Sequence, residues 1–195
     1  MKLLIRGGSV AAGYGATRRY ADILAERLLP RGVEVIVRSR HRETTFDGVA
    51  TFAVDIDPFR PDILLFNFGV DDAFQGVYRS EFQENLVQMI RLARLRFGPQ
   101  VVLATSHTFD DPYDMDAVNI FYRSLSTVAS DLDCLLIPVH HHFAGYLEEK
   151  GLTGKDLTGP DPRYPNDRGH EVIAEAILKG LSKLLPGSSH ATEDR

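Results

Sequence analysis

The chain has 195 residues, 44% of them hydrophobic and 25% charged, with a net charge of −5. That composition fits one soluble domain with a sizeable core, and an acidic balance without a basic tract excludes an evident nucleic-acid surface. No apolar run is long enough to cross a membrane, the first residues are too short for a signal peptide, and the single Cys134 suits a reducing, cytoplasmic setting.

Residues 2–6 read as a short buried strand that runs into Gly7-Gly8-Ser9-Val10-Ala11-Ala12-Gly13-Tyr14-Gly15. Glycines there permit a tight turn and close approach of a ligand to Ser9. Tyr20, Ile23, Leu24 and Leu28 have helical spacing, and Pro30-Arg31-Gly32 stops that helix. Residues 33–37 read as a second strand, ending in the basic run Arg38-Ser39-Arg40-His41-Arg42. That run suits either a solvated loop or an anion-facing one. A short helix is expected within residues 44–54. Residues 62–68 form the most continuous apolar run, as in parallel sheets covered on both faces, and it ends at Gly69-Val70-Asp71-Asp72.

Ser80 and Gln83 have capping-box spacing ahead of a long helix that reaches Phe97. A fourth strand at 101–105 ends at Ser106-His107. Asp110, Asp111, Asp114 and Asp116 suit a solvated loop and a helix amino terminus, ahead of a helix burying Met115, Val118, Phe121, Leu125 and Val128. A fifth strand at 135–139, with Cys134 as a buried residue at its start, ends in His140-His141-His142, read as solvated loop histidines. Three adjacent histidines alone do not make a metal cage; one of them with His107 and Asp71 could hold a metal, but solvated histidines are the preferred reading, and no metal and no cofactor is expected. Residues 151–166 are irregular, 167–185 form the last helix, one domain spans 1–186, and 187–195 read as a disordered tail.

Five strands alternating with helices imply a three-layer α/β/α sandwich around a five-stranded parallel sheet, flavodoxin-like in topology. Right-handed crossovers put every strand's carboxyl end on one side. Ser9, the 38–42 run, Asp71, Asp72, His107 and His140–His142 therefore share one edge.

In that order the chain resembles the SGNH (GDSL-type) hydrolases. The segment around Gly8-Ser9 resembles their first block, Glu43-Thr44-Thr45 the end of the second, Phe68-Gly69-Val70-Asp71-Asp72 the third, and Asp161-Pro162-Arg163-Tyr164-Pro165-Asn166 the fifth. The resemblance implies that Ser9 matches the nucleophile and Asp161 the acid that orients the catalytic histidine. It also places Gly8 where the first block has Asp, Arg42 at the oxyanion glycine, Asp71 at the oxyanion asparagine, and Tyr164 at the catalytic histidine. A phenol is protonated at neutral pH and a poor base. A carboxylate only accepts hydrogen bonds and repels an oxyanion unless a cation such as Arg42 pairs with it.

His107 is the expected substitute base, while His170 is expected to pack or cap at the start of the last helix. Two main functions follow, with a changed reaction using carboxylates, and a metal if one binds, as a third and weaker one. One is a divergent ester hydrolase or acyltransferase using Ser9 with a non-standard base. The other is a non-catalytic protein whose cleft of Ser9, Arg42, Asp71 and Tyr164 binds a small polar or anionic ligand. Either way the partner is a small molecule, an ester or an anion.

Overall fold

The computed structural model describes residues 1–185, so the expected tail lies outside the described residues. The strands are β1 (Lys2–Gly7), β2 (Glu34–Val37), β3 (Ile63–Asn67), β4 (Gln100–Ala104) and β5 (Leu135–Ile137). All pair in parallel, in the order β2-β1-β3-β4-β5. Every residue of β3 is buried, whereas β2 and the three-residue β5, at the two edges, are only partly covered. The apolar strands sit in the middle because only there are both faces roofed by helices.

Helices α1 (Ser9–Ala12) and α2 (Tyr20–Leu28) follow β1. Then come α3 (Thr45–Ala50), α4 (Phe52–Asp55), α5 (Val70–Phe74) and α6 (Arg79–Phe97), and after β4, α7 (Pro112–Asp131). Beyond β5 lie α8 (Val139–Lys150), α9 (Gly154–Leu157) and α10 (Asp167–Leu181). Packing of α2 and α8 on α10, and of α3 and α7 on α6, makes the two outer layers. The chain leaves β1 toward β2 on one side and returns to β3 on the other. Such a reversal of strand order opens a crevice at the carboxyl ends of the two strands, where ligands of open α/β sheets bind. Ser9 follows β1 and Asp71 follows β3, so the topology alone brings them together.

Several local expectations change. The three histidines open α8 and are not in a loop. Val139 and Phe143 are buried four residues apart, with Tyr146 and Leu147 packed on the core, which is a helical spacing. His140 Nδ1 bonds Thr105 Oγ1 at 2.8 Å. Irregular residues 151–166 include α9, begun by Thr153, whose amide donates to Asp156 at 2.8 Å. The cap of α6 lies two residues earlier than Ser80, where the Tyr78 amide donates to Glu81 at 3.0 Å. An ionised glutamate beside a helix amino terminus is a stronger acceptor than the amide of Gln83. Asp111 caps α7 as expected, accepting from the amides of Tyr113 and Asp114. Cys134 lies just before β5 and is half-buried.

Candidate active site

The Ser9 side chain is fully buried and its Oγ has three partners. Asp71 Oδ1 lies at 2.6 Å, the Arg42 amide at 2.8 Å and His41 Nδ1 at 3.0 Å. The Ser9 amide donates to Asp71 Oδ2, also at 2.6 Å. A hydroxyl has one proton and two lone pairs. The Arg42 N–H takes one lone pair, leaving one proton and one lone pair to be divided between Asp71 and His41. Two states satisfy that count. With Asp71 ionised, Ser9 donates to the carboxylate and accepts from a protonated Nδ1. With Asp71 neutral, the acid donates to Oγ and Ser9 donates to a bare Nδ1. Burial is the largest influence on Asp71 and pushes its pKa up, while the Ser9 hydrogen bonds and the charges of His41 and Arg42 pull it down.

In the sequence His41 is only one member of a basic run. Its position beside Arg42, whose amide faces Oγ, is the signal that identifies it: a neighbour of that amide comes within reach of the same oxygen. The imidazole stacks on Tyr14, with ring centroids 3.7 Å apart and planes 14° apart. Tyr164 meets both rings edge-on, at 4.8 Å from Tyr14 and 6.0 Å from His41. Its phenol is held above the usual tyrosine range, first by burial and then by the negative charge of Asp71, so it is a donor at neutral pH.

Arg42 explains itself through its backbone. Its φ is 65°, a left-handed conformation that ordinarily favours glycine. What reaches Ser9 Oγ from that position is an amide N–H, and any residue except proline supplies one. The expected Arg42–Asp71 ion pair is absent among the described residues; the Asp71 carboxylate is engaged by Ser9 instead.

Gly8 is tied to the same change. A Cβ there would collide with Asp71 Oδ2 and the Glu43 carbonyl, so no side chain fits beside this carboxylate. Overpacking of this kind costs about 1–3 kcal/mol. Gly8→Ala is expected to lose stability in that range by urea unfolding, and a smaller cost of Gly8→Ala in the Asp71→Ala background than in the parent would show that Asp71 is part of the obstacle, alongside the Glu43 carbonyl.

A buried ion network anchors the loop that carries His41 and Arg42. Arg6, fully buried on β1, pairs with Glu43 and lies 3.5 Å from Asp55. Arg40 joins both carboxylates, at 2.7 Å each. Arg38 lies over the Phe59 ring at 4.6 Å. Of the basic run, Arg40 is thus structural and the next two residues face Ser9. Removing one partner of a buried pair costs about 3–5 kcal/mol, because the other charge stays behind uncompensated. Arg6→Met is expected to destabilise the fold by about that amount and to lower activity through the loop; normal stability with normal activity would remove the anchoring role.

The remaining expected residues lie elsewhere. Asp161 is held by Arg163 through two side-chain hydrogen bonds of 3.0 Å each. It reaches Tyr164 only through its carbonyl, which accepts from the Tyr164 amide at 3.1 Å. His107 is fully buried, bonds Ser106 Oγ at 3.0 Å and packs against Phe109 and Phe143. Burial lowers its pKa to about 3, so it is a neutral core residue, and the histidine bonded to Ser9 is His41. His170 accepts from the Tyr20 amide at 3.2 Å, fixing the start of α10 against α2. Asp72 accepts from the Thr45 amide and hydroxyl and from the Gly69 amide, which makes it a structural tie between α5 and α3. Burial raises its pKa to about 6. No group of metal-ligating side chains occurs among the described residues.

Beside Ser9 lies a cavity of about 250 Å³, walled by Tyr14, His41, Arg42, Asp71, Phe74, Gln75, Asp161, Arg163 and Tyr164. Three larger apolar depressions, on the outer face of α6, between α2 and β2, and between β5 and α10, are remote from Ser9.

A parallel α/β sheet with a glycine-flanked serine at its strand-order reversal, faced by an amide N–H and the side chain that follows β3, defines an SGNH-type hydrolase. The chain belongs to the GDSL-like Lipase/Acylhydrolase family, whose model matches residues 6–172. It is 27% identical to an arylesterase of Vibrio mimicus, over 94% of this chain and 90% of that protein. It is 24% identical to esterase TesA of Pseudomonas aeruginosa, over 94% of this chain and 89% of that one. Among solved structures, a catalytic mutant of Axe2, an acetylxylan esterase from Geobacillus stearothermophilus, superposes with a TM-score of 0.81 at 18% identity, over 92% of this chain and 93% of that one. LAE5, an α/β hydrolase enzyme from the metagenome of Lake Arreo in Spain, gives 0.80 at 20% identity, over 94% and 95%. At such identities these likenesses establish the fold.

Proposed function

We propose that this protein hydrolyses small esters through Ser9, with His41 as the proton acceptor. The observation that carries this reading is the 3.0 Å contact between Ser9 Oγ and His41 Nδ1, since a serine needs an adjacent base to become a nucleophile. The esterase relatives support the reaction class. As Oγ attacks the ester carbonyl, its proton passes to His41 Nδ1 and the carbonyl oxygen becomes an oxyanion. The Arg42 N–H, already aimed at Oγ, is the nearest fixed donor for that charge. Collapse expels the alcohol, which takes the proton back from His41 and leaves an acyl group on Ser9. Water deprotonated by His41 then releases the acid.

The base comes from the loop after β2. Residue 164, which the resemblance matches to the family's histidine, is a tyrosine and comes instead from the loop before α10. A protonated Tyr164 then acts as a wall and a donor. Because Ser9 is fully buried, the substrate has to displace part of the Tyr14–His41–Tyr164 wall to reach Oγ. The test is turnover of 4-nitrophenyl acetate. Turnover that disappears in Ser9→Ala supports the reading. No turnover, together with no labelling of Ser9 by a fluorophosphonate, overturns it and leaves a ligand-binding cleft.

A further inference from the structure

Two arginines line the cavity beside Ser9, and they are in different electrostatic states. Arg163 is neutralised by its two-pronged contact with Asp161 and lies over the Phe74 ring at 5.4 Å. Arg42 forms no ion pair among the described residues, and its side chain is exposed. Its backbone carries the functional amide, and its carbonyl accepts from Gln75 at 2.6 Å, so the peptide on each side is fixed. The left-handed φ of 65° would be met by glycine without strain. A β-carbon there is strained, and the residue that bears this strain ends in a cation at the cavity wall. Of the carboxylates in the same wall, Asp161 is matched by Arg163, and Asp71 is turned toward the Ser9 amide and hydroxyl. The guanidinium of Arg42 is thus the cavity's available positive group, beside the serine that would be acylated.

We infer that the preferred substrates are short esters carrying a carboxylate, which the Arg42 side chain binds while its amide faces the reacting oxygen. This rests on the esterase reading and specifies its substrate class. The cavity volume of about 250 Å³ fits a short acyl chain and not a long one; sites for drug-sized ligands run from about 300 Å³ upward. A guanidinium–carboxylate contact in a partly closed site contributes enough for a discrimination of about tenfold, and it weakens with added salt.

The test uses a pair of amides that do not depend on turnover. Succinamate and butyramide have the same length and the same amide in place of the ester, and differ by one carboxylate. Calorimetric titration into the intact protein is expected to show succinamate binding about tenfold more tightly. In Arg42→Gly, which keeps the amide and suits the backbone, the difference should vanish, while Arg42→Lys should retain part of it. Equal binding of the two amides by the parent protein, or an unchanged difference in Arg42→Gly, overturns the inference. The esterase reading fails separately: a preserved preference for succinamate with no hydrolysis of 4-nitrophenyl butyrate would leave an anion-binding cleft without the reaction.

Discussion

His41→Ala is expected to lower kcat/KM for a short 4-nitrophenyl ester by about 10²–10⁴-fold, the usual contribution of a positioned general base. The loss should appear in kcat, because the imidazole acts on the Ser9 proton and is only one part of the cavity wall. His41 is exposed and outside the buried ion network, so the variant should lose only about 0.5–1.5 kcal/mol with the Tyr14 stack and stay folded under assay conditions, which separates chemistry from folding. Added imidazole should restore part of the rate by entering the space above Tyr14. Tyr14→Leu removes the 3.7 Å stacking partner and leaves the base in place. Such ring contacts contribute about 0.5–1.5 kcal/mol, so a loss of about threefold to tenfold is expected there. Parental activity in His41→Ala would move the base to another group, with Asp71 the nearest.

The strand order and the meeting of β1 and β3 at the site were legible from the chain, because parallel strands are long apolar runs and their carboxyl ends must share an edge. Ser9, Asp71, Arg42 and Tyr164 were also correctly brought to one place by the block order. What the sequence concealed was which atom of each residue matters. Arg42 reads as a lost glycine because side chains are what a sequence displays, whereas it is the Arg42 amide that meets Ser9 Oγ. Gly8 looked like a lost aspartate, yet it makes room for the Asp71 carboxylate; neither residue explains itself alone. His107 is the base the sequence suggests, in preference to His170, because it follows the end of a strand, while His41 is hidden in a basic run. A direct strand end is also where burial is deepest, and burial made His107 a neutral core side chain. Helix α8 was missed because three histidines dilute the hydrophobic period that Val139, Phe143 and Leu147 carry.

Asp71→Asn is expected to raise activity at neutral pH by a factor on the order of 10², the worth of one oxyanion-region donor. The reason lies in the proton count at Ser9. Asparagine is the shape of a permanently protonated Asp71: its Oδ1 accepts from the Ser9 amide, its Nδ2 donates to Oγ, and the serine proton is left to His41. The parent reaches that arrangement only when Asp71 is neutral.

The groups facing this carboxyl are Ser9 from α1, His41 and Arg42 from the loop after β2, Tyr164 from the loop before α10, and Asp72 beside it on α5. Burial lifts the Asp71 pKa above its ordinary 3.8. As pH rises through that lifted value, the parent converts to the form in which Ser9 donates to the carboxylate, and a negative charge faces the developing oxyanion. A falling limb of kcat/KM is therefore expected there and should be absent in Asp71→Asn.

The same shift sets the sign for stability. A carboxyl whose folded pKa is raised binds its proton more tightly in the folded state, so stability falls as pH rises from 3.8 through the folded value. Asp71→Asn removes that loss, and its unfolding midpoint should exceed the parent's at neutral pH while converging with it in acid. The opposite result, a loss of about 10²–10⁴-fold in Asp71→Asn with parental activity that climbs as Asp71 ionises, would make the carboxylate itself the base for Ser9 and reduce His41 to a positioning residue.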